Sequence, residues 1–263
     1  MSGETRLALL SFAEVRAIDA GRTVALVPAA AVEQHGPHLP LDTDAFLCTS
    51  VVEAAAGRAP EAGGPVLVAP TLSLGLSEHH MAFPGTLTLQ PSTFAAVVSD
   101  VCRSLARHGF RRQLIVNGHG GNRSMLGVAV QQIGFDEPVH IAVVDYWSLG
   151  AEAAAQVRES PPGGMAHACE FETSLMLHLR PESVRRDLIA RELPATRSAS
   201  ELYDLFLRGP LSVHWKTHEL TQSGVMGTPD LATEEKGRVM FEACVDGLAR
   251  LIEELRAVSL PAA

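Results

Sequence analysis

The chain has 263 residues, 46% of them hydrophobic and 19% charged, a balance that suits a folded globular protein and excludes a disordered one. Its 21 Lys and Arg against 30 Asp and Glu give a net charge of −9, which argues against a nucleic-acid partner held through phosphates. The four cysteines (Cys48, Cys102, Cys169, Cys244) are scattered without a C-x-x-C pair, as in a reducing cytoplasm. No apolar run approaches the roughly 20 residues that cross a bilayer, and the N-terminal stretch carries no signal-cleavage pattern. A cytoplasmic protein without a membrane partner is expected.

In chain order, the first apolar run is a strand from Thr23 to Pro28. An alanine-rich helix over Thr43 to Ala59 follows, then a strand from Pro65 to Pro70. The next helix spans Pro91 to His108, with Ser92 as its expected cap and Gly109 as its stop. A strand from Arg112 to Asn117, a helix from Asn122 to Gly134 and a strand from Pro138 to Tyr146 continue the alternation. A helix over Phe171 to Leu179 comes next. Arg191 to Pro210 is the least patterned stretch and reads as a surface helix plus an excursion. A long helix from Thr233 to Ala257 closes the chain, with Glu234 and Glu235 in the first turn where the helix dipole favours acids. Near-continuously apolar strands alternating with helices predict a three-layer α/β/α sandwich with a mainly parallel central sheet, in one domain over residues 1–263.

In such sheets ligands gather beyond the carboxyl ends of the strands, and three polar clusters stand there. "VEQHGPHLPLDTDAF" (Val32 to Phe46) follows the first strand and holds Glu33, His35, His38, Asp42 and Asp44 in a proline-stiffened loop. Carboxylates with imidazoles suit Zn, Mn or Fe as a set, although Asp44 taken alone reads better as a helix cap. "NGHGGN" (Asn117 to Asn122) sits between strand and helix as a dinucleotide fingerprint does, but Arg123 stands where the third glycine is required, and Asp145 comes too late to bind a ribose. The other reading is that its glycines let His119 approach a metal. "HACEFETS" (His167 to Ser174) places His167 and Glu170 three apart, on one face if a helix has begun, with Glu172 pointing elsewhere. Glu172 reads equally as a buried acid partnered by a metal or as an acid favoured by a helix N-terminus, and Cys169 beside His167 does not face it as a nucleophile would. "SEHHMAFPGT" (Ser77 to Thr86) adds His79 and His80, which could serve as ligands but read better as substrate-contacting or loop-packing residues. Neither a G-x-S-x-G elbow nor a phosphate-binding G-x-x-x-x-G-K-[ST] loop is present.

Together, "VEQHGPHLPLDTD", "EHHMAFPGT", "VNGHGGN" and "HACEFETSLML", in order between about Val24 and Leu179, resemble the creatininase (creatinine amidohydrolase) family, and "SGVMGTPDLATEEKG" (Ser223 to Gly237) resembles its C-terminal loop. The resemblance implies an α/β/α sandwich, a homo-oligomer of hexameric type, and two divalent metal ions per chain (Zn, Mn or Fe). It implies Glu33, His35, Asp44 and His119 as ligands, with Asp44 bridging. Creatininase itself carries a ligand glutamate two residues after the histidine of "NGHGGN", where this chain has Gly121, so the chain reads as an HGGN-type member and Glu170 is nominated as the fifth ligand. The implied activity is C–N bond hydrolysis of a small-molecule amide, lactam or formamide by a metal-bridged hydroxide, with His167 donating a proton to the leaving nitrogen and Glu172 orienting His167 or a water. Competing readings are the same site acting on a ring C–C bond, an ester or a peptide, a dinucleotide-binding oxidoreductase, and a non-catalytic assembly protein.

Overall fold

The computed structural model describes residues 3–59, 63–196, 198, 202–207 and 209–262. The apolar runs become β1 (Val24–Ala29), β2 (Val66–Val68), β3 (Arg112–Asn117) and β4 (His140–Asp145), paired in parallel in the order β2-β1-β3-β4. Successive side chains of a strand face opposite sides, and here both sides are covered. Val24 and Leu26 of β1 with Leu114 and Val116 of β3 enter one core, while Ala25 and Val27 with Ile115 enter the other. Full burial of a side chain such as Leu26 contributes roughly 1.5–3 kcal/mol. The alternation is therefore apolar on both faces, which is why the strands read as continuous runs.

Pro28 lies inside β1, a position that normally rejects proline because a ladder hydrogen bond is lost. Its neighbour β2 has already ended at Val68, and pairing on that side resumes at Leu72, whose N donates to Pro28 O and whose O accepts from Ala30 N. The missing N–H therefore leaves no partner stranded.

On one face pack α2 (Thr43–Arg58), α5 (Tyr146–Leu149), α6 (Ala151–Val157), α7 (Glu170–Leu179) and α9 (Glu234–Arg256). The other face carries α3 (Pro91–Arg107) and α4 (Arg123–Asp136), flanked by α1 (Phe12–Arg16). This is the three-layer α/β/α architecture expected. In α9, Met240, Cys244, Leu248 and Ile252 recur every fourth residue and form its buried face. Thr233 caps it by accepting from Lys236 N at 3.1 Å.

Three expectations need correction. Ser92 does not cap α3: Pro91 is its first residue, with its φ preset for a helix and no N–H to satisfy, and Gln90 precedes it without a side-chain bond. The strand expected from Pro65 to Pro70 shrinks to Val66–Val68. No helix forms among the described residues of 191–210. There Glu192 bridges instead to Gly227, beside the antiparallel pair β5 (Met165–His167) and β6 (Met226–Gly227). A short helix, α8 (Thr217–Leu220), follows that stretch. No helix among the described residues is long and apolar enough to cross a membrane.

Candidate metal centre

The site stands at the carboxyl ends of β1 and β3, which pair through Ala29 and Asn117. Past β1, Glu33 N donates to Leu41 O at 3.0 Å and closes the loop on itself. Gly36 turns this loop with φ +62°, and a Cβ there would meet Val225 Cγ2 at 2.6 Å, so only glycine lets His35 and Glu33 face inward. Asp44 lies in the first turn of α2, where the dipole favours a carboxylate. Past β3, Gly118 packs so closely on α2 that a Cβ would sit 2.5 Å from Cys48 Cβ. That contact brings His119 against Asp44. His119 N donates to Asn117 Oδ1 at 3.1 Å, and Asn117 Nδ2 donates to Asp145 Oδ1 at 2.7 Å, so the turn after β3 is anchored to the end of β4.

Six of the residues expected from sequence converge: Glu33, His35, Asp44, His119, His167 and Glu172. His119 Nδ1 lies 3.0 Å from Asp44 Oδ2 and 3.3 Å from Glu33 Oε1. His35 Nε2 lies 3.1 Å from Asp44 Oδ1 and 3.7 Å from Glu172 Oε1. His167 Nδ1 lies 3.7 Å from Glu33 Oε1. Asp44 thus faces one imidazole with each oxygen.

The far nitrogen of each ring fixes its tautomer. His35 Nδ1 donates to Glu33 O at 3.1 Å, His119 Nε2 to Leu76 O at 3.1 Å, and His167 Nε2 to Gln34 O at 2.7 Å. Backbone carbonyls only accept, so the inward nitrogen of each neutral ring presents a lone pair. This is the arrangement that orients metal-binding histidines. Glu33 Oε1 and Oε2 and Asp44 Oδ2 are buried and accept no hydrogen bond. Buried carboxylate oxygens in that state call for positive charge.

The electrostatics agree. Burial disfavours charge on His35, but Asp44 and Glu172 outweigh it and raise its pKa well above the usual range. Burial likewise opposes charge on His119, and Glu33 with Asp44 outweighs it. Burial pushes Glu172 up, yet His35 and His167 hold it at about 2. Burial lowers His167, and it lowers His79 to about 4, so both are neutral at pH 7. Protons on His35 and His119 stand in for cations among carboxylates. Ligand atoms of Glu33, His35 and His167, of Glu33, His79 and His119, and of His35, Asp44 and Glu172 lie within 4.8 Å of one another in each group. Such mixed nitrogen and oxygen sets fit divalent Zn, Mn or Fe.

Glu170 is not brought to this centre. The resemblance nominates Glu170, and it would share a face with His167 only if a helix had begun there, but His167 ends β5, Ala168 turns the backbone with φ 49°, and α7 begins only at Glu170. Two residues of helix separate Glu170 from Glu172 by about 200°. Glu170 therefore points to α9, where Lys236 Nζ donates to it at 2.5 Å and Ser160 N at 2.9 Å. Glu172 takes the inward place beside His35 and Asp44, rather than orienting His167. Cys169 is buried, and burial beside Glu172 pushes its thiol well up, which leaves no nucleophile there.

Sequence alone gives no site role to Gln34 and does not separate His80 from His79. Gln34 Nε2 lies 2.7 Å from His80 Nδ1 and 3.2 Å from Gly224 O. With that nitrogen accepting, His80 Nε2–H faces Glu33 Oε1 at 3.4 Å. Three sequence-distant segments make this contact, and no local spacing signals it. The cavity above the centre measures about 580 Å³ and is walled by His79, Trp147, Tyr203 and Trp215.

Comparison with known proteins gives this geometry relatives. The chain is 31% identical over 252 residues to the creatinine amidohydrolase of Pseudomonas putida, covering 90% of this chain and 91% of that one. It is 35% identical over 228 residues to a mycofactocin precursor peptide peptidase of Mycobacterium ulcerans (strain Agy99), covering 84% and 81%. A solved structure of creatininase with Mn superposes with a TM-score of 0.81 at 30% identity, over 97% of this chain and 100% of that one. Residues 8–252 match the family model described as creatinine amidohydrolase, and the chain belongs to the creatininase family.

Proposed function

We propose that this protein is a dinuclear metal-dependent hydrolase that cleaves a C–N bond of a small amide, lactam or formamide. Glu33, Asp44 and His119 would hold one divalent ion, and His35, Asp44 and Glu172 the other, with Asp44 shared. The observation that carries this reading is that Glu33 Oε1, Glu33 Oε2 and Asp44 Oδ2 are buried and accept no hydrogen bond, with His119 Nδ1 3.3 Å from Glu33 Oε1 and 3.0 Å from Asp44 Oδ2. Ions bound there supply an acidified water and a Lewis acid for the carbonyl oxygen.

The chain's own residues do the rest. His167 keeps Nε2–H on Gln34 O, so Nδ1, on the Glu33 side of the ring, is free to take up a proton and return it to the leaving nitrogen. Burial keeps this ring neutral at rest, as an acceptor must be. His80 steadies Glu33 from outside, and Gln34 in turn steadies His80. Trp215 and Tyr203, in edge-to-face contact, line the cavity with aromatic surface.

A peptide substrate is the second reading. The cavity of about 580 Å³ lies within the roughly 300–1,000 Å³ that drug-sized ligands occupy, and the M. ulcerans relative is a peptide peptidase. Metal analysis after gentle purification, followed by a screen of lactams, formamides, cyclic ureas and short peptides, tests both. About two ions per chain with amine or acid release from a non-peptide amide supports the proposal. Absence of metal overturns it, and release from peptides alone selects the second reading.

A further inference from the structure

The two adjacent histidines of the turn Glu78–His80 have different fates. His80 spends both ring nitrogens on protein: Nδ1 lies 2.7 Å from Gln34 Nε2 and 2.8 Å from Thr217 Oγ1, and Nε2 faces Glu33. His79 spends neither. Among the described residues its ring nitrogens have no hydrogen-bond partner, although its backbone carbonyl is held by Thr217 Oγ1 at 2.9 Å.

The ring is nevertheless fixed in place. It stacks on His119 with centroids 5.6 Å apart and planes 14° from parallel, and Trp215 meets it edge-on at 4.7 Å. Gly121 makes room for this stack. A Cβ there would sit 2.4 Å from His119 Nε2 and 3.0 Å from His79 Cε1, so any side chain at 121 would drive the two rings apart. The result is a ring nitrogen of His79 within 4.8 Å of both a Glu33 oxygen and a His119 nitrogen.

We infer that His79 is a further ligand of the ion held by Glu33, Asp44 and His119, giving that ion a second imidazole and leaving the ion at His35 and Glu172 with one. This rests on the dinuclear reading above and makes the two positions chemically unequal. The position with two nitrogens favours Co, Ni, Cu and Zn, and the more oxygen-rich one suits Mn and Mg better.

The test is titration of metal-free protein with Co(II), following visible absorption and binding isotherms. Wild type is expected to take up cobalt in two steps. His79→Ala should weaken one step at least about tenfold, as loss of a group orienting a metal typically does, and change its absorption band, while the other step stays. His79→Gln, closer to the imidazole in bulk, gives the same readout should the alanine variant fold poorly. Trp215→Leu removes the edge contact but no donor, and should keep both steps and both bands. If His79→Ala and His79→Gln bind both ions with wild-type affinity and spectrum, His79 is no ligand and the dinuclear reading survives. If wild type binds no cobalt, both ideas fall, and the wild-type titration alone reveals it.

Discussion

Glu170→Gln and Glu172→Gln are near-identical changes two positions apart, and the structure assigns them opposite consequences. Glu170 is fully buried and bonded to Lys236, itself 9% exposed. Breaking a buried ion pair by removing one partner costs about 3–5 kcal/mol. Here Lys236 keeps Leu231 O at 2.7 Å and the exposed Glu159 at 2.6 Å, which places the cost near the lower bound, about 3 kcal/mol. For a chain of this size that corresponds to a fall in Tm of roughly 6–12 °C. The assay is urea and thermal unfolding of metal-free protein, beside metal content of the loaded protein. Glu170→Gln should lose stability and keep its ions. Glu172→Gln should lose one ion and keep most of its stability. The pH dependence has a definite sign. Burial raises the Glu170 carboxyl, but Lys236 and the Ser160 and Glu159 amides outweigh it, so its folded pKa is depressed. The stabilisation is then complete above the unfolded carboxylate range and disappears as pH falls through the folded value, so the gap between wild type and Glu170→Gln must narrow in acid. A Glu170→Gln protein that unfolds like wild type and lacks metal would refute the placement of both residues.

Three further outcomes are expected. His119→Ala and Asp44→Asn should each strip metal and abolish hydrolysis while circular dichroism stays native; full activity in either removes the proposed ligand set. Metal uptake should release protons, because His35 and His119 carry raised pKa values and must deprotonate to bind. Affinity therefore falls as pH drops below those values, and calorimetry in buffers of different ionisation enthalpy measures the protons. Gly121→Ala would place a Cβ 2.3 Å from Leu76 O and 2.4 Å from His119 Nε2. A cost of about 1–3 kcal/mol and weakened metal binding should follow, and unchanged melting would show that the turn yields freely.

The sheet was legible because its cause is local: Val24 to Val27 in "TVALVP" and Leu114 to Val116 in "RQLIVN" are uninterrupted apolar runs, as two covered faces require. Glu33, His35, Asp44 and His119 were legible because they follow strand ends or open a helix, and parallel topology brings such positions to one rim. The choice between Glu170 and Glu172 was not legible. It depends on where α7 starts, which is set by a backbone turn at Ala168 and by Lys236, a partner 66 residues away. The pairing of β5 with β6 was invisible for the same reason, since strands this short carry no periodicity. His79 and His80 looked interchangeable in sequence, and only three-dimensional bookkeeping of ring nitrogens separates them.

The side-chain amide of Gln34 has a consequence for biosynthesis. It contacts His80, His167 and Gly224, which lie 46, 133 and 190 positions further along. A nascent chain still lacking its last stretch has nothing to hold these segments in register, and contacts of such span form late. The wall of the pocket that Gln34 supports therefore closes only once the segment around Gly224 has been made, and the proposed binding of ions can only follow that step.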